Sequence, residues 1–177
     1  GSYIGSRVFN IGDTVACQVS VSDGVNPIVT AMSENTGTVI NSVPQAYNTQ
    51  ISPSIATEAT TLTCSTDTWD RSSDNQQLTV DYSWLVNGVE LTNQNTNTLT
   101  GSSFDKGDVV HCIVTPYDGI DYGNAATSGS ITIGNSAPTI SSVAIGYSTQ
   151  QHTSGTFAGD QLTCTPSGGS DLDGDSL

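Results

Sequence analysis

Basic residues are nearly absent. The chain has 3 Lys+Arg against 17 Asp+Glu, a formal net charge of −14 over 177 residues. A phosphate backbone is repelled by such a balance, so nucleic acid is excluded as a partner. An anionic membrane surface is disfavoured for the same reason. No apolar run is long enough to span a bilayer, and no secretory leader is recognisable, so membrane insertion is not expected in this segment. Charged residues of both signs make up only 11%. The Ala, Leu, Glu and Lys that build helices are scarce, which argues against a helical protein. No Cys-x-x-Cys knuckle occurs, so zinc is not expected. No Gly-x-Ser-x-Gly elbow and no nominated carboxylate pair occur, and the protein is not expected to be an enzyme. There is no Asn-x-Ser/Thr sequon for N-glycans, while the Ser/Thr density leaves O-glycans open.

What is abundant is Ser, Thr, Asn, Gln, Val and 18 Gly. That composition suits short strands and turns. The acidic surplus reads in two ways, as a solvated surface kept apart by self-repulsion or as a surface with divalent counter-ions.

The chain repeats itself. Residues 9–24 and 104–119 coincide at Phe9/Phe104, Gly12/Gly107, Asp13/Asp108, Val15/Val110, Cys17/Cys112, Val19/Val114, Asp23/Asp118 and Gly24/Gly119. Asn41-Ser42-Val43-Pro44 returns as Asn135-Ser136-Ala137-Pro138, and Leu62-Thr63-Cys64 returns as Leu162-Thr163-Cys164. Tyr47-Asn48-Thr49-Gln50 returns as Tyr147-Ser148-Thr149-Gln150. A period of about 95 residues is a whole domain, not a solenoid turn. The phase divides the chain into a second half-domain (1–41), one complete domain (42–136) and a first half-domain (137–177).

Within the complete copy, strands are expected over Ala46–Ser52, Thr60–Ser65, Leu78–Val86, Val89–Thr92, around Leu99, and over Asp108–Pro116 and Ala125–Ile133. Thr66–Gln77 reads as a polar loop. Asn87-Gly88 is a hairpin signal, since both residues tolerate positive φ. Alternation predicts a core of Leu62, Cys64, Tyr82, Trp84, Val86, Val110, Cys112, Val114, Ile131 and Ile133. Leu85, Val109 and Ile113 then fall on an outer face more apolar than a free sheet needs.

Cys64, Trp84 and Cys112, each in a strand-like run, resemble the Cys–Trp–Cys order of an immunoglobulin-type sandwich. The expected architecture is therefore all-β, with tandem immunoglobulin-like sandwiches, one complete and two partial. Cys64 and Cys112 are expected to form a disulfide. Val110 stands where such domains usually carry a tyrosine two residues before the second cysteine. Cys17 and Cys164 are left over, and by the period each should find its partner outside the chain, in a longer array. The alternative is head-to-tail exchange, in which 137–177 of one copy completes 1–41 of the next. That alternative lacks the Trp-bearing hairpin. Disulfides imply an oxidising compartment, so the expected location is extracellular or the cell surface.

Tyr82-x-Trp84-x-Val86-Asn87-Gly88, with Phe104-x-x-Gly107-Asp108-x-Val110 and Asp118-Gly119, resembles the Ig-like (cadherin/PKD-like) repeats of large prokaryotic surface proteins. Ser170-Asp171-Leu172-Asp173-Gly174-Asp175 is similar to an acidic loop of those repeats. The resemblance implies an extracellular stalk or filament whose partners are other copies or neighbouring repeats. Asp171, Asp173 and Asp175 are spaced to offer hard oxygens to calcium from one tight turn; the plain alternative is a solvated acidic turn. Asp67, Asp70 and Asp74, beside Arg71, lack that compact spacing and make a poorer site. Asp118 and Asp121 read as loop-shaping residues. His111 and His152 sit in no catalytic or metal motif. A second function class is an adhesin-type module that recognises glycans or another cell surface through its loops. Trp69, Tyr117 and Tyr122 are its aromatic candidates.

Overall fold

The computed structural model describes residues 9–71, 76–147, 159 and 161–177. Asp74 and His152 lie outside these residues. The described chain is all-β in several sheets, as a β-sandwich requires. Among the described residues the one helical segment is a 3-10 turn at Gly101–Ser103, and no helix is long and apolar enough to cross a membrane.

In chain order the strands are β1 Thr14–Val15, β2 Gln18–Val21, β3 Val29–Met32, β4 Gly37–Thr38, β5 Gln45–Ser52, β6 Ala56–Thr57, β7 Leu62–Trp69 and β8 Thr79–Val86. There follow β9 Val89–Glu90, β10 Thr98–Leu99, β11 Val109–Tyr117, β12 Ala126–Thr127, β13 Ile131–Gly134, β14 Ser142–Tyr147 and β15 Leu162–Ser167. Two sheets dominate. One is ordered β10-β7-β5, and the other β6-β13-β11-β8-β9 with β12 added to β11. Three two-stranded sheets, β1-β4, β2-β3 and β14-β15, complete the set.

By their contacts the described residues fall into two units. One draws on Gly1–Thr49, Thr66–Tyr82 and Ile113–Thr127, the other on Gln50–Ser65, Ser83–Cys112 and Ser128–Leu177. The second holds most of the core. Leu62, Cys64, Trp84, Leu99, Phe104, Val110, Cys112, Ile131 and Ile133 are buried there. Trp84 is wholly buried, and its indole N–H donates to the Thr96 carbonyl at 2.9 Å. That bond removes the cost of burying an unpaired donor. Leu99 and Phe104 belong to this core although the alternation of long strands does not mark them. Tyr82 and Val86 are only half-buried. In the first unit, Val114 and Pro116 are buried, and Pro44 is too.

β11 shows why the pattern works. Its residues alternate between half-buried and buried without a break from Val109 to Tyr117. Val110, Cys112, Val114 and Pro116 all point one way, because successive side chains of a strand point to opposite faces. The hairpin β8–β9 turns at Asn87-Gly88 with φ of 52° and 80°. Asn87 also accepts from Val109 N–H and donates to Asp108.

Two expectations are corrected. The polar stretch after Cys64 is not a loop from Thr66, for β7 runs on to Trp69. Thr66 and Thr68 are β-branched, and the strand's polar side chains bond sideways, Thr49 to Thr66 at 2.8 Å and Asn48 to Asp67 at 2.9 Å. The expected strand over Ala125–Ile133 is two short strands, because the Ser128 hydroxyl turns back to accept from Cys112 N–H between them.

The sequence match between 9–41 and 104–135 recurs in the backbone. Gly12 N–H donates to Val39 O, as Gly107 N–H does to Ile133 O. Ser33 N–H donates to Cys17 O, as Ser128 N–H does to Cys112 O. Cys17 N–H donates to the Ser33 hydroxyl at 3.1 Å, and Cys112 N–H to the Ser128 hydroxyl at 3.0 Å. Strand registers agree too: Val15 faces Gly37 as Val110 faces Ile131, and Gln18 faces Met32 as Ile113 faces Thr127. Even the turn is the same, with the Asp23 carboxylate accepting from Val25 and Asn26 N–H, and Asp118 from Ile120 and Asp121 N–H.

Candidate functional site

The cysteines divide by burial. Cys64 and Cys112 are joined in a disulfide whose Cα atoms are 6.3 Å apart, within the buried core. Cys17 and Cys164 are free and exposed. An exposed thiol, between β1 and β2 for Cys17 and on β15 for Cys164, is open to exchange chemistry, whereas the buried pair is not.

The acidic triad gathers in one turn. Asp171 Oδ1 accepts from Asp173 N–H at 2.9 Å, and Gly174 bends the chain with φ of 75°. One carboxylate oxygen from each of Asp171, Asp173 and Asp175 lies within 4.8 Å of the others. Asp173 Oδ2 accepts from Ser136 N–H at 2.6 Å, while its Oδ1 is buried without a hydrogen-bond partner. The Lys106 ammonium lies 2.6 Å from Asp175 and donates to Asn135 at 3.0 Å. Its hydrogen bond to Asp175 holds the ammonium above its ordinary pKa; partial burial opposes this, and the charges of Asp175, Asp173 and Asp171 add to it. Hard oxygens on a glycine turn form a donor set of the kind Ca²⁺ takes. In this structure Lys106 already neutralises part of that charge. Beside the turn lies a cleft of about 340 Å³ lined by Thr57, Ser136, Thr139, Ser170 and Asp171 among others.

Among the described residues, Asp67 and Asp70 are not brought into any such cluster. Asp67 accepts from Asn48 at 2.9 Å. Asp70 accepts from the Ser42 hydroxyl and from Arg71 N–H, both at 2.7 Å.

Asp118 and Asp121 do more than shape a loop. The Asn41 amide donates to both carboxylates at 2.8 Å, and its oxygen accepts from Gln76 at 2.7 Å. Burial pushes the Asp118 carboxyl up, but the N–H groups of Asp121 and Ile120 and the Asn41 amide outweigh it and hold the pKa below the ordinary value. Asp70 Oδ2 and Gln76 Oε1 are buried without partners in the same unit.

Of the aromatic candidates, Tyr117 and Tyr122 stack with ring centroids 4.5 Å apart. Tyr122 is exposed, and the Asp81 carboxylate beside it pushes its phenol up. Trp69 is exposed near the end of β7, on a strand rather than a loop. His111 lies half-buried on β11, with Nδ1 3.4 Å from Ser128 O.

The residues that sequence reading missed are Lys106, Asn41, Gln76 and Ser136. Each has its partner in a segment far along the chain. The one available signal was the recurrence of Asn-Ser-x-Pro at 41–44 and 135–138, because both copies bind an acidic side chain, Asp70 for Ser42 and Asp173 for Ser136. No protein-family model matches the chain, and neither a curated protein nor a solved structure does.

Proposed function

We propose that the chain is a stretch of tandem immunoglobulin-like sandwiches in an extracellular stalk or filament. The observation that carries this reading is the shared bond frame of residues 9–41 and 104–135. One local design used twice is what an array of like domains needs. The buried Cys64–Cys112 link supports an oxidising location. Copies are divided at 41/42 and 136/137, where the Asn-Ser-x-Pro segments act as short, stiff joints. The array's partners are its own neighbouring domains and other copies. Calcium is the cation proposed for Asp171, Asp173 and Asp175, where the buried, unpaired Asp173 oxygen favours a ligand. Electron microscopy of native material tests the array reading. Beaded filaments are expected, and discrete monomers that bind glycans would overturn it.

A second reading keeps the sandwich and changes the task. The stacked, partly exposed Tyr117–Tyr122 pair favours an adhesin-type module, because aromatic faces pack against sugar rings. Loss of glycan-array binding in Tyr122→Ala would support it.

A further inference from the structure

We propose that residues 9–41 of one chain form a docking face for the β15 strand of a second copy, closed by a Cys17–Cys164 disulfide. The proposal rests on the like-domain reading and takes head-to-tail exchange with a second copy, without the Trp-bearing hairpin, as the source of one half-domain's cover.

Two copies of one bond frame differ in exposure. Phe104, Cys112 and Val114 are 3%, 0% and 0% exposed. Their equivalents Phe9 and Val19 are 45% and 55% exposed, and Cys17 is exposed. The backbone is already set; what differs is the cover. The 104–135 copy shows what that cover is. A disulfide ties Cys112 to Cys64, which lies on β7 in the run Leu62-Thr63-Cys64. The chain holds that run once more, as Leu162-Thr163-Cys164 on β15. β15 is exposed along its whole length, and among the described residues it is paired only with β14. Cys164 therefore stands to Cys17 as Cys64 stands to Cys112.

Charge does not drive the contact. Residues 9–41 carry Asp13, Asp23 and Glu34 with no Lys or Arg, and residues 161–177 carry three Asp with no basic residue. Apolar burial must overcome that repulsion, so added salt should speed association. Bond formation is a thiol–disulfide exchange. The Cys17 thiolate attacks a small-molecule disulfide and expels one thiolate. The Cys164 thiolate of the second copy then displaces the other. Two protein thiols are oxidised, and the small disulfide is reduced to two thiols.

The test uses the purified chain in oxidised and reduced glutathione. Expected are disulfide-linked species at multiples of 18.3 kDa, with peptide maps joining Cys17 to Cys164. Cys17→Ser and Cys164→Ser should each stay monomeric, and their mixture should give a dimer and nothing larger. Val19→Asp keeps both thiols and should slow coupling about tenfold. Like-to-like links at comparable yield, a mixture without dimer, monomers with both thiols still alkylatable, or an unchanged rate in Val19→Asp would each overturn the docking. Any of these leaves the array reading standing, since that falls only on the form of the native material.

Discussion

Cys64 and Cys112 close a loop of 48 residues. In the chain-entropy model such a link stabilises by about 4 kcal/mol. Cys64→Ala/Cys112→Ala should lower the unfolding free energy by that order, read from urea melts with and without reductant. Reductant should leave the double variant unchanged. Asp118 acts through protons. Its folded pKa lies below the ordinary 3.8. Its contribution is therefore full above that value and is lost as pH falls through the folded pKa. Asp118→Asn keeps an acceptor for the Ile120 and Asp121 N–H groups but sets an NH₂ against the Asn41 NH₂. It should cost about 1–3 kcal/mol at pH 7 and flatten the stability slope below pH 4. Urea melts at pH 7 and pH 3 check both. For calcium, a site at the weak, millimolar end typical of extracellular modules would gain about 1.4 kcal/mol at ten times its Kd. Asp173→Asn should remove this gain. Lys106→Gln, which frees Asp175, should enlarge it. Thermal melts with and without calcium read both.

At the scale of elements, the apolar alternation of β11 and the Asn-Gly turn after β8 were legible because each is a local pattern with one reading. The far half of β7 was not. Thr-Asp-Thr-Trp carries loop-like polarity, and its strand state rests on bonds to Asn48 and Thr49, which no window around residue 66 contains. Lys106–Asp175 and Asn41–Asp118 were illegible for the same reason, being separated by 69 and 77 residues. A glycine tests how closely the elements approach. A Cβ on Gly101 would lie 1.6 Å from the Glu58 carbonyl oxygen, a backbone atom that cannot swing aside. Gly101→Ala should destabilise by about 3 kcal/mol, at the upper end of the usual overpacking cost. Gly129 has open space around it, so Gly129→Ala should stay within about 0.5 kcal/mol. Equal effects of the two would sink the close-approach account.

For the whole molecule, matching residues in a shared bond frame, Phe9 with Phe104 and Val19 with Val114, are buried once and bare once, so these residues do not by themselves decide exposure. Cover does. Phe104 is buried in the copy whose Cys112 is tied to Cys64, and Phe9 is exposed in the copy whose Cys17 is free. Residues 9–41 have the hydrogen bonds of residues 104–135 but not their apolar burial, and burial is the dominant favourable term in folding. The two copies should therefore differ in opening. Amide exchange at Cys17 and Ser33 should be faster than at Cys112 and Ser128 by several orders of magnitude, although each pair makes the same bonds. Where residues 9–41 are covered, as the proposed array requires, the difference should vanish. Mass-spectrometric exchange on this chain and on native material makes the comparison. Equal protection of the two segments in this chain would show that the bond frame is enough by itself, and the case for a missing cover would fail.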